Sequence, residues 1–178
     1  MLAGPSDVPG TDYVCIPLLS EKKGVDVPTP VLGSGIHSYS GGYAPQSRNL
    51  LFLNRKTAEM KWLFPNNRQL ITEIEMLSPP QEADKGRKVD AILYRVITED
   101  TNGDMQLTSA DAAAVTASTP DGSRYKYLFG PDARVIGAMD VGDQRGIVLY
   151  QLNGRGYASI LDLSGLSIIA TREIPKSE

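Results

Sequence analysis

Cysteine and histidine are almost missing from this chain: 178 residues carry one of each, Cys15 and His37. A single cysteine rules out any disulfide within the chain. With so few soft ligands, a zinc site would have to draw on carboxylates. Charge of one sign is lacking as well. The 18 Lys+Arg and 21 Asp+Glu leave a formal net charge of −3, which argues against nucleic acid or an anionic membrane as a partner. No apolar run reaches the roughly 18 residues that span a bilayer, so no transmembrane segment is expected. The opening Met1-Leu2-Ala3-Gly4-Pro5-Ser6 has neither the basic nor the apolar stretch of an intact secretory signal. That leaves a cytosolic protein or one whose leader has been removed. Long helical periodicity is the last absence, and all-β is the expected fold class.

Turns and short strands are what the chain has in quantity, with 17 glycines and 12 prolines. Its length suits one substantial core. Residues 1–45 read as a Gly/Pro-rich segment with one or two short strands. One candidate is Thr11–Leu19, where Pro17 marks an edge, and another is Ile36–Tyr39. Residues 46–178 read as a repeated β-sheet domain. The repeat aligns by eye. Trp62-Leu63-Phe64-Pro65-Asn66-Asn67-Arg68-Gln69-Leu70-Ile71 is echoed by Tyr127-Leu128-Phe129-Gly130-Pro131-Asp132-Ala133-Arg134-Val135-Ile136. Likewise, Ile92-Leu93-Tyr94-Arg95 is echoed by Val148-Leu149-Tyr150-Gln151. Recurrence at this spacing points to stacked or arrayed sheets.

Four strands are predicted at Leu70–Leu77, Val89–Thr98, Ala113–Ser118 and Arg124–Phe129. Four more match them at Arg134–Val141, Gly146–Leu152, Tyr157–Leu163 and Ile168–Ile174. Short Gly/Asn/Asp connections make the last four an antiparallel meander. The middle unit differs by two insertions, Ser78–Lys88 and Glu99–Ala112. Asn49–Phe64 reads as the final two strands of an earlier, degenerate unit. The expectation is therefore a propeller-like array of four-stranded antiparallel units, two to three blades in one chain. A closed propeller typically has four to eight blades. Extra N-terminal strands, an incomplete ring, or a homo-oligomer that completes the ring would each reconcile the counts.

The turn Thr119-Pro120-Asp121-Gly122 and the segment Ile160-Leu161-Asp162-Leu163-Ser164-Gly165 resemble the TolB-type family of bacterial β-propeller repeats over residues 49–174. Two departures stand out. Pro120-Asp121-Gly122 falls between the last two strands of a unit where the family places this turn between the first two. Serine precedes Gly165 where the family has threonine. The resemblance implies a propeller-like architecture, a place in the bacterial cell envelope or periplasm, and an unidentified protein partner.

One segment carries specific chemistry. Asp100-Thr101-Asn102-Gly103-Asp104-Met105-Gln106-Leu107-Thr108-Ser109-Ala110-Asp111 has the spacing of an EF-hand-type calcium loop and resembles EF-hand and dockerin loops over this stretch alone. Side-chain oxygens stand at loop positions 1, 3 and 5 (Asp100, Asn102, Asp104). Gln106 offers its carbonyl at position 7, and Asp111 closes the loop at position 12. Calcium takes six to eight hard oxygen ligands, which such spacing can wrap round one centre. Met105 stands where glycine usually permits the sharp turn, and Asp111 is one methylene shorter than the usual glutamate. The competing reading is an ordinary polar turn at Asn102-Gly103.

No catalytic constellation emerges. His37, in Gly33-Ser34-Gly35-Ile36-His37-Ser38, has no nucleophile elbow beside it, and no helix follows to make a dinucleotide fingerprint. Glu73 and Glu75 share a face of a predicted strand. Paired carboxylates hydrolyse glycosides at suitable separation, but same-face acids on a strand are commonly solvated. Trp62, Tyr125 and Tyr127 are expected to pack in the core, and Cys15 to be a half-buried strand thiol. The functional expectation is a non-enzymatic binding or scaffolding module that uses the loops Ser20–Gly42, Ser78–Lys88 and Glu99–Ala112, with structural calcium in the last. The alternative is a metal-dependent hydrolase or lyase on the same scaffold.

Overall fold

A computed structural model describes residues 1–20, 46–80, 86 and 88–176. The expected strand Ile36–Tyr39, His37 and nearly all of the Ser20–Gly42 loop lie outside the described residues. So does most of Ser78–Lys88. Among the described residues every regular element is a strand, as the composition predicts.

Twelve strands follow one another: β1 (Ser6–Asp7), β2 (Tyr13–Leu19), β3 (Ser47–Asn54), β4 (Met60–Trp62), β5 (Leu70–Leu77), β6 (Ala91–Ile97), β7 (Ala114–Ser118), β8 (Lys126–Phe129), β9 (Arg134–Gly142), β10 (Arg145–Leu152), β11 (Arg155–Asp162) and β12 (Ser167–Glu173). All pairings are antiparallel. The first eight strands form one sheet and the last four a second, and neither closes on itself.

Within the larger sheet, β3 and β5 meet at a single register position, Ser47 opposite Ile71, while β4 covers the other end of β3. The chain is thus a succession of three four-stranded meanders, β1–β4, β5–β8 and β9–β12. The strands expected from Leu70 onward are all present within a few residues of their predicted ends. β3 and β4 are the two expected strands of the earlier unit. That unit also holds β1 and β2, because β2 pairs along its whole length with β3, across the 45/46 boundary read from the sequence.

Two cores lie between the units. One gathers Cys15, Leu50, Phe52 and Phe64 of the first unit with Ile71, Ile92, Tyr94 and Val96 of the second. The other gathers Leu77, Ala91, Leu93, Val115 and Phe129 of the second unit with Val148, Tyr150 and Leu161 of the third. Strand side chains alternate between faces. β6 therefore sends Ile92, Tyr94 and Val96 to one core and Ala91 and Leu93 to the other, which explains its nearly unbroken apolar run.

The sequence echo now has a geometric meaning. Tyr94 of β6 and Tyr150 of β10 both face the preceding unit, and each meets a serine on the next strand. Tyr94 and Ser118 share a hydroxyl hydrogen bond of 2.7 Å, and Ser159 donates to Tyr150 at 3.5 Å. The unit-ending hairpins repeat a device as well. Asn54, Asp121 and Asp162 each accept a backbone amide two residues on, from Lys56, Ser123 and Ser164. At Gly122 the turn lies against Phe52 of the first unit. A Cβ there would fall 2.3 Å from the ring, and φ is +76°, so both space and backbone require glycine.

The aromatic expectation needs correction. Tyr125 sits edge-on to Phe64 at 5.1 Å, yet it is 36% exposed, and Trp62 and Tyr127 are exposed as well. Trp62 pairs with Leu51 on the face of the first unit turned away from its neighbour, and among the described residues no second sheet covers that face.

Candidate functional site

Among the described residues, two places of polar chemistry bear on function, one within the second unit and one where it meets the third. The first is the insertion between β6 and β7. Asp100 accepts the amide of Gly103 on one carboxylate oxygen and that of Met105 on the other. Asn102 accepts the amide of Asp104, and Asp104 that of Gln106. Gly103 has φ +78° and Met105 φ +63°, so Met105 adopts the left-handed turn for which glycine is usual at this loop position.

Asp111 is the pivot. One oxygen accepts the amides of Thr101 and Asn102 and the Thr101 hydroxyl, and the other accepts the Thr108 amide. These donors, the Thr108 amide foremost, hold its carboxyl below the ordinary aspartate range. Asp111 is buried at the loop's base, whereas Asp100, Asn102, Asp104 and Gln106 are exposed at its tip. The residues predicted to surround a cation thus share one compact, self-bonded loop. Among the described residues, no three carboxylate, histidine or cysteine side chains converge as a group able to hold a metal.

The second place is a small, shallow cleft of about 40 Å³ where the second and third units meet, lined by Glu73, Glu75, Leu93, Arg95, Val135 and Ile136 among others. The β5–β6 register sets Glu73 opposite Arg95 and Glu75 opposite Leu93, on one face as predicted. Arg95 Nε lies 2.9 Å from Glu73, and Arg95 also donates to the Val135 carbonyl on β9. That pair ties the two units together across the cleft mouth. Among the described residues Glu75 has no such cation of its own. Burial first, and then the neighbouring Glu73 charge, push its carboxyl up to about 7, against a smaller opposing pull from Arg95. The expectation of a solvated acid pair therefore holds for neither: Glu73 is ion-paired and Glu75 is half-buried.

Arg95 was visible in the sequence only as part of the repeat. Its partnership with Glu73 depends on hairpin register across the long Ser78–Lys88 connection, which no local pattern specifies. Cys15 is a strand thiol as expected but fully rather than half buried, and burial lifts it to about 12, where no reactive thiolate forms. No helix among the described residues is long and apolar enough to cross a membrane. Comparison with known proteins found no matching family model and no matching curated sequence.

Proposed function

We propose that this chain is a non-enzymatic, propeller-like binding or scaffolding module of the bacterial cell envelope, and that it recognises a protein partner through the insertion between β6 and β7. One observation carries the reading. A long exposed loop, held in one shape by Asp100 and Asp111, stands on a strand pair buried on both faces. Loops positioned by rigid sheets are where binding residues concentrate. The three stacked meanders support the blade reading.

The test replaces residues 99–112 with a two-residue Asn-Gly turn and compares both chains as immobilised baits for envelope proteins. A partner held by the parent chain and lost from the shortened one supports the reading. Equal capture by both, or divalent-metal-dependent cleavage of ester or glycoside substrates that Asp104→Ala abolishes, overturns it in favour of a hydrolase. Calcium in the same loop is part of the proposal. At about a hundred times its Kd it is expected to stabilise the chain by about 2.7 kcal/mol, a rise in Tm of roughly 5–10 °C. Magnesium should not reproduce that rise, and Asp104→Ala should remove it. An unchanged Tm would discard the metal and leave the loop held by its own hydrogen bonds to Asp100 and Asp111.

A further inference from the structure

The second and third units superpose position by position through their registers. Ile92 faces Ser118 and Leu93 faces Ala117 in one, while Val148 faces Ser159 and Leu149 faces Ala158 in the other. On the first strands, Leu77 opposite Ala91 matches Met139 opposite Ile147. In the second unit, Leu77, Ala91, Leu93 and Ala117 form the face onto which the third unit packs. Their counterparts Met139, Ile147, Leu149 and Ala158 form the outward face of the third unit. Nothing among the described residues covers it: Met139 is 58% exposed and Ile160, beside Ile147, is 36% exposed. Exposed apolar faces of this kind mark interaction surfaces.

The first unit ends the stack in the complementary way. Its Leu50 and Phe52 face the second unit, and its other face carries Val14 and Leu51, both buried, beside Met60 and Trp62, 65% and 41% exposed; among the described residues no further strand lies over it. The stack therefore has a forward apolar face at one end and a rearward one at the other. Inside the chain, forward faces always pack on rearward faces. We propose that a second copy of this chain docks head-to-tail, the forward face of each third unit on the rearward face of its partner's first unit. Three units from each copy make six, within the four to eight that close a propeller. A repeated heterologous contact closes into a ring when its rotation permits. This inference rests on the stacked-unit reading above but not on the β6–β7 loop, so the loop-shortened chain keeps its self-association whether or not that loop binds a partner.

The test is sedimentation equilibrium of the full chain across the micromolar range, with Leu149→Glu and Trp62→Glu made separately. Both side chains point away from the two cores, so far-UV circular dichroism and Tm in dilute solution serve as folding controls. The expected result is a closed dimer that either substitution weakens by roughly a hundredfold or more. Mixing the two variants should restore a pair, because one intact forward face then meets one intact rearward face. A chain that stays monomeric throughout, and so keeps these faces for some other partner, overturns the proposal. A dimer lost with Leu149→Glu yet untouched by Trp62→Glu also overturns it, because it shows two forward faces packed on each other. Open oligomers that grow with concentration overturn ring closure.

Discussion

Leu93 and Leu149 occupy the same position in two successive sheets and live in opposite surroundings. Each follows the first residue of an Ile/Val-Leu-Tyr strand, and each pairs with an alanine on the next strand. Leu93 is 4% exposed and Leu149 39%. The tyrosines beside them do not diverge in this way, since Tyr94 and Tyr150 both face a preceding unit and are both buried. The repeat therefore encodes two faces for every sheet. Whether a forward face becomes core depends on whether another sheet arrives to cover it.

The sharpest way to break this comparison is to truncate both leucines. Leu93→Ala should cost about 3 kcal/mol, from lost transfer free energy plus the cavity left between units. Leu149→Ala, measured by urea unfolding at dilution where the chain is monomeric, should cost less than about 0.5 kcal/mol. Equal losses would mean that the third unit's outward face is covered within the monomer.

The tyrosines sharpen the contrast on the shared side. Tyr94→Phe removes the 2.7 Å bond between two buried hydroxyls, Ser118 keeping its 2.9 Å donation to the Thr119 carbonyl, and should cost about 1 kcal/mol. Tyr150→Phe should cost less than about 1 kcal/mol, because that contact is long and Ser159 keeps a 2.7 Å bond to Thr171. A larger loss at Tyr150 would reverse the ranking of the two cores.

Glu75 gives a smaller effect with a distinctive sign. Its position in the third unit belongs to Gly137, since Glu75 faces Leu93 as Gly137 faces Leu149. Its folded carboxyl titrates near 7, above the ordinary value of 4.5, so the folded state holds the proton more tightly. The stability this contributes is fully present below about 4.5 and is lost as the pH rises through about 7. Glu75→Gln should therefore melt above the parent chain at pH 8, with the gap closing as the pH falls toward 5. Parallel Tm curves across that range would show that Glu75 is free in water.

Asp111 is expected to have the most local effect, because the third unit has no counterpart to its loop: β10 and β11 turn directly through Asn153-Gly154. Asp111→Asn puts a donor where an acceptor was needed. Amide hydrogen exchange at Thr101, Asn102 and Thr108 should quicken by an order of magnitude or more, while exchange in β6 and β7 stays slow. Because its folded carboxyl sits below the ordinary 3.8, the contribution of Asp111 is present above that value and fades as the pH falls through the folded one. Unchanged exchange would move control of the loop to Asp100.

Much of this was legible in the residues. The end of β4 through the start of β5, and of β8 through the start of β9, are the aligned decapeptides, because the same connection recurs between successive units, with a buried phenylalanine, Phe64 or Phe129, ahead of an exposed turn. Alternation and short Gly/Asn/Asp turns located β9 to β12 within a residue or two. The 100–111 loop announced itself by its spacing of oxygens. β2 was legible as the strand Thr11–Leu19, but its place beside β3 was not, because that partner is distant in sequence, and the two-residue β1, which pairs with β2, left no local pattern. Trp62 looked like core because large aromatics usually are, yet its strand β4 lies on the outward face of the end unit.

Local chemistry was enough to specify strands, turns and the self-bonded loop, since backbone propensity, alternation and side-chain-to-amide hydrogen bonds act over a few residues. The stacking order of the sheets assigned the rest: which leucine is core, which glutamate shifts toward neutrality and which tryptophan faces water. Those outcomes depend on desolvation by groups that are close in space and far apart along the chain.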